Sequence, residues 1–229
     1  MAYSGKHISS SFDLALTSLQ NDVLMMASLT ERLFRNAVDG LVQRNTDICN
    51  RVVADDEEID VLEKEVDRAG IDTLIRFHPV ATDLRRVISQ MKLSANLERV
   101  ADQSVAIARR AKRLNAQPVC PEISWLDPIL QHALAQFHDS LRAFVDQDTQ
   151  LSLGLKPRDR ELDAIISRTT EKLIAAMTLS PDRIHSLMDL IFVARSLERI
   201  GDHASSIGED AFWIDRAEDI RHTFRKKEE

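Results

Sequence analysis

The chain has 229 residues, 44% of them hydrophobic, enough apolar material for one sizeable core or two small ones of about 110 residues each. Six glycines, six prolines and 5% aromatics argue against a many-stranded β fold and leave long helices, so an all-α protein is expected. A net charge of −7 gives no footprint for nucleic acid, neither end has a basic block able to grip an anionic membrane, and no run approaches the roughly 20 apolar residues of a membrane span.

From His7 to Arg44, apolar residues recur at helical spacing (Phe12, Leu16, Leu19, Val23, Met26, Leu33, Ala37, Leu41), which predicts one long first helix. Asn45-Thr46-Asp47 offers caps for a second helix, striped by Val52, Ile59, Leu62 and Val66, that reaches about Phe77. His78-Pro79 breaks it, because proline lacks the amide donor and disfavours helical backbone before it. A third helix runs from Val80 to about Leu114 with Leu93, Leu97, Val100 and Ile107 on one stripe.

Residues Asn115 to Asp127 lack periodicity and contain Pro118 and Pro121, so the domain linker is placed at 116–125, with repeats at 1–115 and 126–224. Trp125 is expected to stitch the two bundles together. Leu130, Leu134, Phe137, Leu141 and Phe144 repeat the first-helix pattern after the cap and first-turn proline Asp127-Pro128. A fifth helix is expected from about Pro157 to Thr178, and a sixth from Ser180-Pro181 to about His222. The chain therefore reads as two tandem three-helix bundles.

The duplication is explicit in Leu97-Glu98-Arg99-Val100-Ala101-Asp102, which recurs as Leu197-Glu198-Arg199-Ile200-Gly201-Asp202. Glu98/Asp102 and Glu198/Asp202 are spaced four apart and share a helix face. The second and fifth helices carry their own pairs, Asp56/Asp60 and Asp159/Asp163. Folding each half as a hairpin sets these pairs level with one another: the turn falls at Pro79 in the first half and between Ser180 and Pro181 in the second. With neighbouring helix axes about 8–10 Å apart, the carboxylates of each hairpin converge.

Like charges about 4 Å apart repel by roughly 4 kcal/mol at an effective dielectric of 20, so such clusters call for neutralisation. Carboxylates without cysteine or histidine at ligand spacing suit hard ions such as Mg²⁺, Ca²⁺ or Mn²⁺, or oxygen-loving iron. Arg99 and Arg199 are the alternative, as salt bridges. A plain solvated acidic face is the other reading, because Glu98 and Asp102 point away from the Leu93/Leu97 stripe. His203, next to Asp202, reads as a solvated surface histidine, with a ligand role as the alternative, and Ala211-Phe212-Trp213-Ile214 as helix packing or a partner contact. Cys49 and Cys120 form no C-x-x-C pair and read as packing or surface thiols.

No Glu-x-x-His repeat, phosphate-binding glycine loop or G-x-S-x-G is present, so no enzyme is expected. No signal-peptide pattern opens the chain, which gives a cytoplasmic expectation. Exposed helical faces make a homodimer the expected assembly.

Leu197-Glu198-Arg199-Ile200-Gly201-Asp202-His203 resembles the signature of the PhoU family, regulators associated with bacterial phosphate uptake. Pro79-Val80-Ala81-x-Asp83-Leu84-Arg85 and His7-Ile8-Ser9-x-x-Phe12 are also similar to the family's sequence. The resemblance spans about 7 to 222. It implies two PhoU bundles binding multinuclear metal clusters, often iron, with Mg, Mn, Ca or Zn as other candidates. By position the ligands are Asp56, Asp60, Glu98 and Asp102, then Asp159, Asp163, Glu198 and Asp202. It further implies a negative regulator of the phosphate-starvation response, an adaptor between the phosphate transporter's ATPase subunit and the sensor histidine kinase, near the membrane only through those partners. The rival functions are a divalent-metal storage or buffering protein and a metal-free scaffold. Ala101 and Gln103 stand where the family has Gly and His, so the first copy departs further from the pattern than the second.

Overall fold

The computed structural model describes residues 4–221, with side chains from Ser10 onward. Six α-helices follow one another: α1 (Ser4–Val42), α2 (Thr46–Phe77), α3 (Ala81–Asn115), α4 (Asp127–Val145), α5 (Thr149–Leu179) and α6 (Ile184–Arg216). Among the described residues there is no strand. The His7 and His222 ends expected for the first and sixth helices fall outside the described side chains and residues respectively.

The turns repeat their chemistry as well as their spacing. Arg44 and Gln147 each take left-handed backbone at φ 52°, and the next residue caps the following helix. Asn45 accepts from the amides of Asp47 and Ile48, and Asp148 accepts from those of Gln150 and Leu151. Each cap satisfies amides that helix geometry leaves bare and contributes about 1 kcal/mol. The α2–α3 hairpin turns at His78, left-handed at φ 47°, and Pro79, as the sequence predicts. At the other hairpin a single 3-10 turn, Pro181–Arg183, precedes α6, which therefore starts at Ile184.

Three boundaries differ from expectation. α5 begins at Thr149 and carries Pro157 in its interior. Buried Ser152 and Leu155 before the proline and Asp159 and Leu162 after it hold the helix through the position, so packing overrides the missing amide. α6 ends at Arg216 rather than near His222: Ala217 adopts left-handed backbone at φ 56° and its amide caps the Trp213 carbonyl. The linker is not structureless, since Pro121–Leu126 form a 3-10 turn that leads into α4. Cys120 and Leu126 are buried there, whereas Trp125, expected to join the bundles, remains 38% exposed.

The two bundles do not have separate cores. α3 and α6 pack along each other at the centre, with α1 and α2 flanking α3 and with α4 and α5 flanking α6. One apolar cluster runs from Leu19 through Leu97, Ala101 and Ile107 to Leu197, Ala204 and Ile207. Phe34 of α1 meets Phe137 of α4 edge-to-face at 6.1 Å, the preferred arrangement for aromatic pairs. Polar ties reinforce the α3–α6 seam: Lys92 to Asp210 at 2.7 Å, and Arg110 and Arg113 to Asp189 at 2.9 and 2.7 Å.

Candidate metal centre

In the first hairpin, burial of Val52, Ile59 and Leu62 on α2 and of Leu97, Val100 and Ala101 on α3 fixes which faces meet. That orientation leaves Asp56, Asp60 and Glu98 half-buried and Asp102 exposed. Burial raises the Asp56 carboxyl, and the charges of Asp60 and Asp102 raise it further against the pull of Arg109. Burial and Asp102 likewise raise Glu98, with Arg99 opposing and with Glu63 and Asp60 adding to the rise. Glu63, one turn beyond Asp60, is raised too, by burial and then Asp67. These mutual effects place the four expected residues and Glu63 in one electrostatic neighbourhood.

Arg99 provides the salt bridge anticipated from sequence, but loosely. Its guanidinium lies 3.3 Å from Glu98 Oε2 and 3.7 Å from Asp102 Oδ2, and its side chain is 62% exposed. Glu98 Oε2 is itself buried and has no partner in hydrogen-bonding geometry, despite the 3.3 Å approach. A buried acceptor left in that condition is costly. The reading of Glu98 as part of a solvated face is thereby corrected, because its side chain is only 16% exposed.

The second hairpin is built differently. Asp159 is buried and both of its oxygens are engaged: Oδ1 accepts from Gln136 Nε2 at 3.3 Å and Oδ2 from Lys156 Nζ at 3.2 Å. Gln136 reaches across from α4 and its amide also lies 3.2 Å from the Gly201 carbonyl and 3.2 Å from Ser205 Oγ. Gly201 allows that approach: a Cβ there would sit 3.1 Å from Asp159 Oδ1. Asp163 is raised by burial and by Asp159 and Glu198, with Lys156 opposing. Asp202 is pushed up to about 6 by desolvation and by Asp159 and Asp163, again against Lys156.

Each hairpin thus collects its four expected carboxylates on facing helices, and their donor atoms are all oxygens, the chemistry of a hard cation. As placed, no three His, Cys, Asp or Glu side chains among the described residues stand close enough together to hold a metal ion.

Sequence reasoning overlooked Lys156, Gln136 and Glu63. Lys156 was signalled by its position three residues before Asp159, an ordinary helical ion-pair spacing. Gln136 had no local signal because its contacts come from α5 and α6. His203 is half-buried, not solvated. Asn96 donates Nδ2 to the Lys92 carbonyl, which leaves Oδ1 to accept from His203 Nδ1 at 3.1 Å. In the 211–214 segment, Ala211 and Ile214 are buried and Trp213 lies under the Lys92 ammonium at 4.9 Å, so it packs within the molecule. Cys49 and Cys120 are free and buried, with burial pushing the Cys120 thiol up to about 11.

Fold and site together define a duplicated helical-bundle protein with one carboxylate-bearing hairpin per repeat. The PhoU domain family model matches residues 23–111 and again 126–211, and the chain belongs to the PhoU family. It is 32% identical over 225 residues to the phosphate-specific transport system accessory protein PhoU homolog of Pseudomonas putida, covering 96% of this chain and 87% of that protein. It is 30% identical over 217 residues to the phosphate-specific transport system accessory protein PhoU of Escherichia coli strain K12, covering 95% and 90%. The crystal structure of PhoU from Pseudomonas aeruginosa superposes with a TM-score of 0.88 at 29% identity, over 90% of this chain and 100% of that one. The phosphate transport system regulatory protein PhoU from Streptococcus pneumoniae shares the fold with a TM-score of 0.81 at 22% identity, over 91% and 99%.

Proposed function

We propose that this chain is a cytoplasmic accessory regulator of a phosphate transport system. It restrains phosphate uptake and the phosphate-starvation response by linking the transporter's ATPase subunit to the sensor histidine kinase. The observation that carries this reading is likeness along nearly the whole chain to proteins named as accessories of that system, at 30–32% identity over 95–96% of its length. Among the described residues no helix is long and apolar enough to cross a membrane. The working assembly is a homodimer.

Cation binding belongs to the same proposal. Asp56, Asp60, Glu98 and Asp102 hold metal in the first hairpin, and Asp159, Asp163, Glu198 and Asp202 in the second. Burial and like charge raise Asp56, Glu98, Asp163 and Asp202, and a hard divalent ion or iron would relieve that repulsion.

The test is transcript measurement in a deletion strain grown in phosphate-rich medium. Phosphate-starvation transcripts rise several-fold if the chain is the regulator, and stay at wild-type level if it is a metal store. Affinity capture from phosphate-replete cells with the membrane fraction included should recover the transporter ATPase or the kinase. Recovery of neither, with unchanged transcripts, overturns the proposal.

A further inference from the structure

Away from the carboxylate hairpins, one cavity draws its walls from both repeats. α1 has 39 residues and α4 has 19, so α4 stops at Val145 while α1 extends on, and a groove of about 250 Å³ opens beside it over α3 and α6. Its apolar wall is Leu16 and Leu24 of α1, Phe144 and Val145 at the end of α4, and Ile214 of α6. Arg85 holds that last residue against α3 by donating Nε to its carbonyl at 3.3 Å. The polar groups are Arg86 and Gln90 of α3 and, on the exposed rim, Gln20 and Gln147. Gln90 is only 8% exposed, yet its carboxamide makes no hydrogen bond with any described residue. Neither of its amide atoms is sealed into the interior, so the group faces the groove. A nearly buried amide without a partner is costly, and this one is answered only by what enters the groove.

We propose that this groove docks an extended segment of a partner protein, one that carries an aliphatic residue next to an aspartate or glutamate. Three features select that occupant. A carboxamide pairs an N–H donor with a C=O acceptor, the complement of a peptide group, and Gln20, Gln90 and Gln147 bring three of them to the groove. Arg86 is the one charged residue in the lining among the described residues. Its side chain is 47% exposed and its ion pair with Asp83 is long, at 3.8 Å, so its guanidinium is open to a carboxylate. The volume falls short of the roughly 300–1,000 Å³ of a site for a drug-sized ligand and suits a side chain with its backbone. This chain's own residues 222–229 match less well. They follow Arg221, which lines a different cavity with Lys92 and Asp210, and their Arg225-Lys226-Lys227 has the charge sign of Arg86. The inference rests on the adaptor reading given above and supplies the contact face for it.

The experiment replaces Leu24 with the photo-crosslinker p-benzoylphenylalanine in the full chain, irradiates phosphate-replete cells and sequences the crosslinked peptide by mass spectrometry. Leu14, 72% exposed on the same helix and outside the groove, is the control position. The expected product, formed from position 24 and not from 14, is a peptide of the transporter ATPase or the sensor kinase in which an aliphatic residue adjoins Asp or Glu. Affinity capture of that protein should fall fivefold or more with Gln90→Leu and with Arg86→Glu, and changing the peptide's acidic residue to Lys should restore it against Arg86→Glu. Gln90→Leu removes an amide that nothing in the chain bonds, so its thermal unfolding should stay at or above wild type; Arg86→Glu, at an exposed position, tests the groove independently of that result. A crosslink to a second copy, to residues 222–229 or to any other protein, no crosslink from position 24, or capture indifferent to both substitutions overturns this inference. The adaptor reading then stands if wild type still recovers the ATPase or the kinase. Recovery of neither by wild type, with unchanged starvation transcripts, removes both.

Discussion

At the scale of single residues, Asp189 shows how much one carboxylate does for the seam. Partial burial pushes its carboxyl up, but hydrogen bonds and charge from Arg113 and Arg110 outweigh that and hold it below the ordinary aspartate range. The sign of the linkage follows. A carboxyl depressed in the folded state stabilises the protein fully above its unfolded-state value near 4, and that contribution disappears as pH falls through the lower folded-state value. Asp189→Asn should lower unfolding free energy by about 1–2 kcal/mol at pH 7, discounted because both arginines are partly in water. Urea denaturation of wild type and variant from pH 7 to pH 3 should show the gap closing below about pH 4. None of this was legible in the sequence, because Asp189 and Arg113 are joined only by the packing of α6 on α3.

At the scale of elements, the approach of α6 to α5 rests on glycine. A Cβ at Gly201 would lie 2.6 Å from Leu162 Cδ2 and 3.1 Å from Asp159 Oδ1, whereas nothing lies within 4 Å of one at Gly154. Leu162 is fully buried and has little room to yield. Gly201→Ala should therefore cost about 1–3 kcal/mol through overpacking, while Gly154→Ala, in the open interior of α5, should gain about 0.5–1 kcal/mol. Thermal unfolding followed by circular dichroism checks both, and equal shifts in the same direction would contradict the packing described. The hairpin turns were readable from His78-Pro79 and Ser180-Pro181, and the level of the acidic pairs followed from them. The start of α5 was not, because Pro157 looks like a helix opening until the buried residues on either side of it are known. Lys156 was visible as a helical neighbour of Asp159, but not the burial of the aspartate it pairs with.

At the scale of the molecule, the sequence announces two repeats and the structure joins them into one apolar cluster through α3 and α6. The seam was not legible because the stripe containing Leu97 and Val100, or Leu197 and Ile200, looks the same whether it seals a single bundle or meets its twin. A shared core predicts a single cooperative transition. Helicity, which reports all six helices, and fluorescence of Trp125 and Trp213, both in the C-terminal half of the chain, should give coincident urea curves. Two separated midpoints would mean that the halves unfold independently.

The location of Glu98 along α3 has a mechanical consequence. That helix has 35 residues and Glu98 lies at its middle, so about 25 Å of rigid rod extends on either side at 1.5 Å per residue. A tilt of about 4° about that point moves each tip by about 2 Å, the size of shift by which packed helices exchange one arrangement for another. A small event at the waist of the protein is thus delivered, enlarged, to both of its ends.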